Sequence, residues 1–469
     1  MVDFHPICHS VCKMPQKHIR ICASVALVLL TSLQLCASWW WPFGKKEDTP
    51  IEPSPPAHGR FIPTDGDQSK KVYPKKDDKN DISVERVIEL AEGGNPVAQL
   101  NLGKIYFEGQ VGVKQDYNKA FMWFAKAAQN GNPKAMYNVA ICYDGGFGVR
   151  KANPDKAFEW YRYAADHGVP EAQLKTAVIA EAQGQPELAF KYYKMLADSG
   201  DDTCQLQVAL QYLHGYGVGV DGEAAVAYLL KASEAGNVRA QVRLADCYQQ
   251  GIGTARNYRE TFNWLTLAAH SGDPEAQAKL GVCYQEGIGT ASNMSLAFHW
   301  FKISADGKYP GGQYCLGNCF RDGIGVEKND LLAFEQYLLA AEAGDSLAQY
   351  ELAMCFKDGR GTREDLARAR EWLQKAADAG LAIAQARLAT MVAVGTPGFG
   401  PDPKGAVELL DKASASQDSV ARLQVAICYL QGNGIPQDRE KARKILEAAS
   451  LEGDAAAAEI YKIYFGKEF

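Results

Sequence analysis

A self-similarity with a period near 36 residues, running from Asn95 to Gly453, restricts this 469-residue chain more than any other feature. A period in that range marks a stack of small supersecondary units, none of which can bury its apolar face alone. Three copies show the register: NPVAQLNLGKIYFEGQVGVKQDYNKAFMWFAKAAQNG, DPEAQAKLGVCYQEGIGTASNMSLAFHWFKISADG and DSLAQYELAMCFKDGRGTREDLARAREWLQKAADAG. In the second, Ala276, Leu280, Gly281 and Tyr284 fall at helical spacing. Ala297, Trp300, Phe301 and Ser304 make a second amphipathic face, so each unit reads as a helix pair. Pro274 suits the first turn of a helix capped by Asp273, and Gly287 with Gly289 ends that helix in a loop.

The positions A-Q-x-x-L-G-x-x-Y-x-x-G-x-G-V…A-x-x-W-x-x-K-A-A-x-x-G recur copy after copy. In them the sequence resembles the Sel-one-like repeat (SLR) family, a relative of the tetratricopeptide repeats with a longer G-x-G-[VT] loop. The resemblance implies an all-α, right-handed α-solenoid of about ten two-helix repeats of about 36 residues. Two copies depart from the pattern and are expected to kink the superhelix. Residues 169–200 lack the G-x-G loop, and residues 381–417 carry GTPGFGPDP, with Val392 where tyrosine is usual. Residues 82–94 supply an incoming half unit and the segment from Asp454 a final helix, plausible caps for the stack.

Three regions are expected. Residues 1–38 read as an export signal or membrane anchor: Lys13, Lys17, His18 and Arg20 precede the apolar stretch Ile21–Leu35, which ends in Cys36, Ala37 and Ser38. Met14 would start a signal of ordinary length. Retention as an anchor is the rival reading, because Ile21–Trp41 approaches a bilayer-spanning length. Lipidation of Cys36 is a third, disfavoured by Leu35 just before it. Residues 39–80, rich in Pro, Lys, Asp and Gly, read as a disordered tether, and residues 81–469 as the solenoid. The place expected for the protein is therefore exported: periplasmic, envelope-associated or secreted.

Charge and motif content narrow the function. Of 50 basic and 56 acidic side chains, 39 and 48 lie beyond residue 80, a net charge of −9 with no basic run, so no nucleic-acid partner is expected. The histidines form no H-E-x-x-H, and GYGVGVDG from Gly215 follows a helix and lacks a Lys-Ser/Thr ending, so it reads as an inter-helix loop. His167 and His270 sit where they would meet the last carbonyls of a helix. His5, Cys8, His9 and Cys12 crowd into eight residues upstream of Met14 and do not suit a zinc loop. Cys247, Cys283, Cys319 and Cys355, each 36 residues apart, occupy one equivalent site per repeat, joined by Cys142 and Cys428, and read as small buried hydrophobes. No catalytic, cofactor-binding or metal-ligating residue is expected.

The function expected is a non-catalytic protein-interaction scaffold or adaptor in the cell envelope, touching membrane only through an uncleaved N-terminal segment. Some cysteine-rich SLR proteins are linked to β-lactam binding or hydrolysis, which supplies an enzyme alternative, but they carry a cysteine pair per unit and this chain mostly carries one. A cell-wall glycan receptor is a further alternative, set against Trp123, Trp160, Trp264, Trp300 and Trp372 at the core-facing signature site. In tetratricopeptide solenoids the first helix of each pair lines the inner groove. That register nominates Leu100, Lys104, Tyr137, Ile141, Val242, Asp246, Tyr314, Asn318, Tyr350 and Met354 for a peptide or helix of a partner protein. The same positions could instead be packed between helices.

Overall fold

Aspartate and asparagine side chains open most of the helices, and left-handed glycines close many of the first helices of the repeats. The computed structural model describes residues 83–110, 112–396 and 400–466, and among these there are 22 helices and no strand. In the repeat begun by Asp273, the carboxylate accepts from the Ala276 amide, Pro274 fills the first turn, and Gly287 (φ 73°) closes the helix, as its sequence position implies. The N-terminal segment, the tether and the His5/Cys8/His9/Cys12 group lie outside the described residues.

The described residues form two compact units, one ending at Asn257 and the other beginning at Tyr258. Each repeat has a first helix, A, and a second, B. In the first unit the helix Val84–Glu92 precedes the A/B pairs Pro96–Glu108/Tyr117–Gln129, Pro133–Gly145/Pro154–Asp166, Pro170–Ala182/Pro186–Asp198 and Asp202–His214/Gly222–Glu234, then the A helix Val238–Gln250. The second unit begins with the B helix Tyr258–His270. The pairs Pro274–Glu286/Met294–Asp306, Pro310–Asp322/Asp330–Glu342, Ser346–Asp358/Leu366–Asp378, Ala382–Val394/Pro403–Ser414 and Ser419–Gln431/Arg439–Leu451 follow, with Ala455–Phe465 last.

Three recurring contacts explain the repeat signature. The first seats a B-helix side chain in a notch on its own A helix. A Cβ added to Gly103, Gly281 or Gly317 would lie 2.5–2.6 Å from the rings of Phe124, Phe301 and Tyr337 respectively, so these glycines exist to admit a ring. Where the notch residue is Ala353, Ala389 or Ala426, the smaller Leu373, Leu410 or Leu446 stands in the ring's register. Tyr161 and Tyr193 share that register with Ala140 and Ala177, and their hydroxyls donate to Asp144 (3.3 Å) and Glu181 (3.0 Å).

The second contact explains the glutamine of A-Q-x-x-L. Gln99, Gln173, Gln205, Gln241, Gln277, Gln349 and Gln385 donate, at 3.0–3.3 Å, to the carbonyls of Ala91, Ala165, Ala197, Ser233, Ala269, Ala341 and Ala377. Those carbonyls lie in the last turn of the preceding helix and also accept from the amide of the turn glycine that follows it (Gly94, Gly168, Gly200, Gly236, Gly272, Gly344 and Gly380), so the glutamine fills the second lone pair. Each such bond, between neutral groups, contributes about 0.5–1.5 kcal/mol net.

The third contact ties one repeat to the next. A phenylalanine in the B helix meets an aromatic ring in the following A helix edge to face: Phe121–Tyr143, Phe190–Tyr212, Phe262–Tyr284, Phe298–Phe320 and Phe334–Phe356, with centroids 5.2–5.8 Å apart. Such a pair adds about 0.5–1.5 kcal/mol beyond its buried area. At other joints one partner is not aromatic, as at Phe158/Ala180, Val226/Tyr248 and Val407/Tyr429, and at the joint leading into Ala382–Val394 neither is, the two positions holding Arg370 and Val392.

One turn is strained. Lys308 (φ 60°) is the only non-glycine residue with positive φ among the described residues, at a turn where the neighbouring repeats have Gly272 and Gly344. Tyr309 follows it at the cap position and makes no side-chain capping bond.

Two predictions follow from these contacts. Gly281→Ala should cost about 1–3 kcal/mol in chemical denaturation through overpacking against Phe301, and adding Phe301→Leu should recover most of the loss. Lys308→Gly should stabilise by about 0.5–1 kcal/mol, the relief of left-handed strain exceeding the added freedom of the unfolded chain.

Candidate functional site

The rows nominated for a partner groove lie on the A helices, and their surroundings differ between repeats. In the unit ending at Asn257, Leu100, Lys104, Tyr137, Ile141 and Val242 are buried in the packing. Asp246 is half-buried and pairs with Arg243 at 3.0 Å. Burial pushes the Lys104 ammonium below its ordinary value. Burial also raises the Tyr137 phenol, to about 12, with Glu171 and Asp144 adding to the rise. The Tyr137 ring lies 5.5 Å from that of Tyr161.

In the unit beginning at Tyr258, Met354 is buried, whereas Tyr314, Asn318 and Tyr350 are half-buried and keep an edge to solvent. Asn318 accepts from the Tyr337 hydroxyl at 2.7 Å, and the Tyr337 ring lies 6.2 Å from that of Tyr314. Arg321 pairs with Asp322 at 2.8 Å and with Glu351 at 3.0 Å. Burial raises the Tyr350 phenol, opposed by the neighbouring Arg387 guanidinium. The structure thus brings Tyr314, Asn318 and Tyr350 together with a charged network, while Leu100, Tyr137 and Val242 serve the packing.

Reasoning from apolar rows overlooked that network. The same register carries a charge in several repeats: Arg243, Lys279, Glu351 and Arg387 immediately before the leucine of A-Q-x-x-L, and Lys175 before Thr176. Lys175 reaches Asp144 at 3.8 Å. The signal was present in AQLKTA, AQVRLA, AQYELA and AQARLA, as a charge at a fixed place inside an otherwise apolar helix.

Other candidate chemistry resolves into structure. The Nδ1 atoms of His167 and His270 hydrogen-bond the carbonyls of Tyr163 and Thr266, each at 2.7 Å, as their place at a helix end implies. No cluster of His, Cys, Asp and Glu that could hold a metal occurs among the described residues. The eight described cysteines are buried and in no disulfide, Cys315 and Cys319 included. Burial raises the thiols of Cys142, Cys247 and Cys319 to about 12 and of Cys355 to about 11, far from the range of a thiolate nucleophile. Of the five signature tryptophans, Trp123 is buried and the others are half-buried; Lys126 and Lys375 lie over Trp123 and Trp372, 4.4 and 3.7 Å from the ring centroids. No described helix is long and apolar enough to cross a membrane.

The Sel1 repeat family pattern matches ten consecutive segments spanning residues 96–201 and 203–454. The chain belongs to the Sel1 repeat family. Among solved structures, it is similar to c5321, described as a protective antigen present in uropathogenic Escherichia coli strains and displaying an SLR fold. The match has 31% identity and a TM-score of 0.55, and covers 83% of this chain and 84% of that one. A Sel1 repeat protein from Oxalobacter formigenes matches at 27% identity and TM-score 0.55, over 65% of this chain and 88% of its own. No curated protein matches the chain.

For this Sel1 repeat protein, alkylation resolved by mass spectrometry should leave Cys142, Cys247, Cys319 and Cys355 unmodified in the folded state at about pH 8, and modify all four in denaturant. Rapid native modification of any of them would contradict its burial.

Proposed function

We propose that this Sel1 repeat protein is a non-catalytic interaction scaffold of the cell envelope, exported by its N-terminal segment and set on the tether 39–80, taking a peptide or helix of a partner protein on its A-helix face. The observation that carries the reading is the half-buried Tyr314 and Tyr350, each keeping an edge to solvent beside the Arg321–Glu351 pair, a surface already ordered by internal bonds. Aromatic rings and arginines held in place before binding lose little freedom on association, and these residue types dominate protein interfaces. Export is supported by the basic residues and apolar run before Cys36. The similar E. coli protein is described as a protective antigen, and an exported place for this chain fits that description.

The test places a photo-crosslinking amino acid at Tyr350 in the native cells, with the same group at Glu335 on a B helix as control. Discrete crosslinks to an envelope protein from position 350, absent from position 335 and lost in Tyr314→Ala, are expected. Equal labelling from both positions, or none from position 350, would overturn the proposal.

A further inference from the structure

The A helix Ala382–Val394, whose joint with the preceding B helix has no aromatic residue at either position, borders a partly open cavity of about 190 Å³ on its other side. Val392 replaces the usual ring, and Arg370 replaces the phenylalanine that would meet it and instead donates to Thr396 Oγ1 at 3.4 Å. The helix Ala382–Val394 runs into Gly395 (φ 78°, ψ 161°) without the left-handed closure of most of its counterparts. Gly434, whose counterparts Gly289, Gly325 and Gly361 rest on the first carbonyl of a B helix, rests on Ala393.

The cavity lies between Ala382–Val394 and Ser419–Gln431, with Leu410 and Ile435 among its apolar lining. An apolar cavity of roughly 150 Å³ holds a benzene-sized group, so this one accepts a single aliphatic side chain. The polar lining is the Thr390 hydroxyl and the amides of Gln424, Gln431 and Asn433. Gln424 Nε2 donates to Cys428 Sγ at 3.7 Å and Asn433 Nδ2 to Gln431 Oε1 at 3.2 Å. Each amide carries two donors and a two-lone-pair acceptor, which leaves capacity for a peptide backbone. Val394, 62% exposed, lies at the edge.

Arg387 sits one turn before Thr390 on the same helix and makes no ion pair among the described residues. Its Nε is shut from water without a hydrogen-bond partner. The guanidinium hydrogen-bonds the Tyr350 hydroxyl and acts electrostatically on Cys428, while the nearby carboxylate of Glu351 is held by Arg321 at 3.0 Å. A half-buried guanidinium without a carboxylate, beside a cavity of mixed apolar and uncharged polar lining, complements an anion linked to an aliphatic group. Seven residues separate Arg387 from Val394, about 10 Å along the helix and the span of about three residues of extended chain.

We infer that this joint is a two-point site for an extended segment of a partner protein, in which an aspartate or glutamate meets Arg387 and an aliphatic side chain within about three residues enters the cavity. The inference deepens the scaffold reading and rests on it. The test exposes the full chain to a phage-displayed random dodecapeptide library and measures the selected peptides by fluorescence anisotropy. An acidic residue within three positions of Leu, Ile or Met should be enriched, and Arg387→Gln and Val394→Asp should each weaken binding about tenfold or more. Helical circular dichroism checks both variants, and the exposed Val394 keeps the test valid if the Arg387 variant is unstable. Absence of that enrichment, or affinities unchanged in both variants, would overturn the site. If Tyr350 crosslinks persist in the two variants, this inference fails while the scaffold reading stands.

Discussion

The structure depends on the need of each helix pair to fit a bulky B-helix side chain against a small A-helix residue. Gly103, Gly281 and Gly317 are cut to the rings of Phe124, Phe301 and Tyr337, and alanines share that register with leucines elsewhere. The seat sets how closely the two helices approach. With that spacing set, the glutamine of A-Q-x-x-L reaches the carbonyl ending the preceding helix, and the edge-to-face rings meet across five joints. None of these contacts needs a residue distant in sequence, as expected of a stack stabilised by nearest neighbours.

Period, caps and helix pairing were legible because each rests on local chemistry: Asp273 at a cap, Pro274 in a first turn, Gly287 at a close. The roles of the glutamine and of the paired rings were not, because a side chain's partner eight or more residues away cannot be read from periodicity alone. The groove was ambiguous for a physical reason. An A helix packs against neighbours on more than one side, so an apolar residue on the partner face and one in the core follow the same spacing. Tyr137 and Tyr314 share a register, yet the first is buried and the second keeps an exposed edge. Charge carried more information than apolarity, since Glu351 and Arg387 mark the open side where leucine and alanine do not.

The same logic connects an irregular repeat to binding. Losing both rings, as at Arg370 and Val392, removes a contact that five joints use for cohesion, and a cavity lies on the other side of the same A helix. A regular solenoid of identical joints would offer no place more specific than another. Departures from the repeat are therefore where a scaffold of this kind can discriminate among partners, at some cost in local stability.

That cost gives the most direct measurement of the account. Native-state hydrogen exchange, read segment by segment, separates local opening from global unfolding. If stability resides in the joints described, amides of Ala382–Val394 and Pro403–Ser414 exchange sooner than those of Pro310–Asp322 and Ser346–Asp358, where the ring pairs are intact. Equal protection across these helices, or greatest protection at Ala382–Val394, would show that the stack is held by something other than the contacts at its joints.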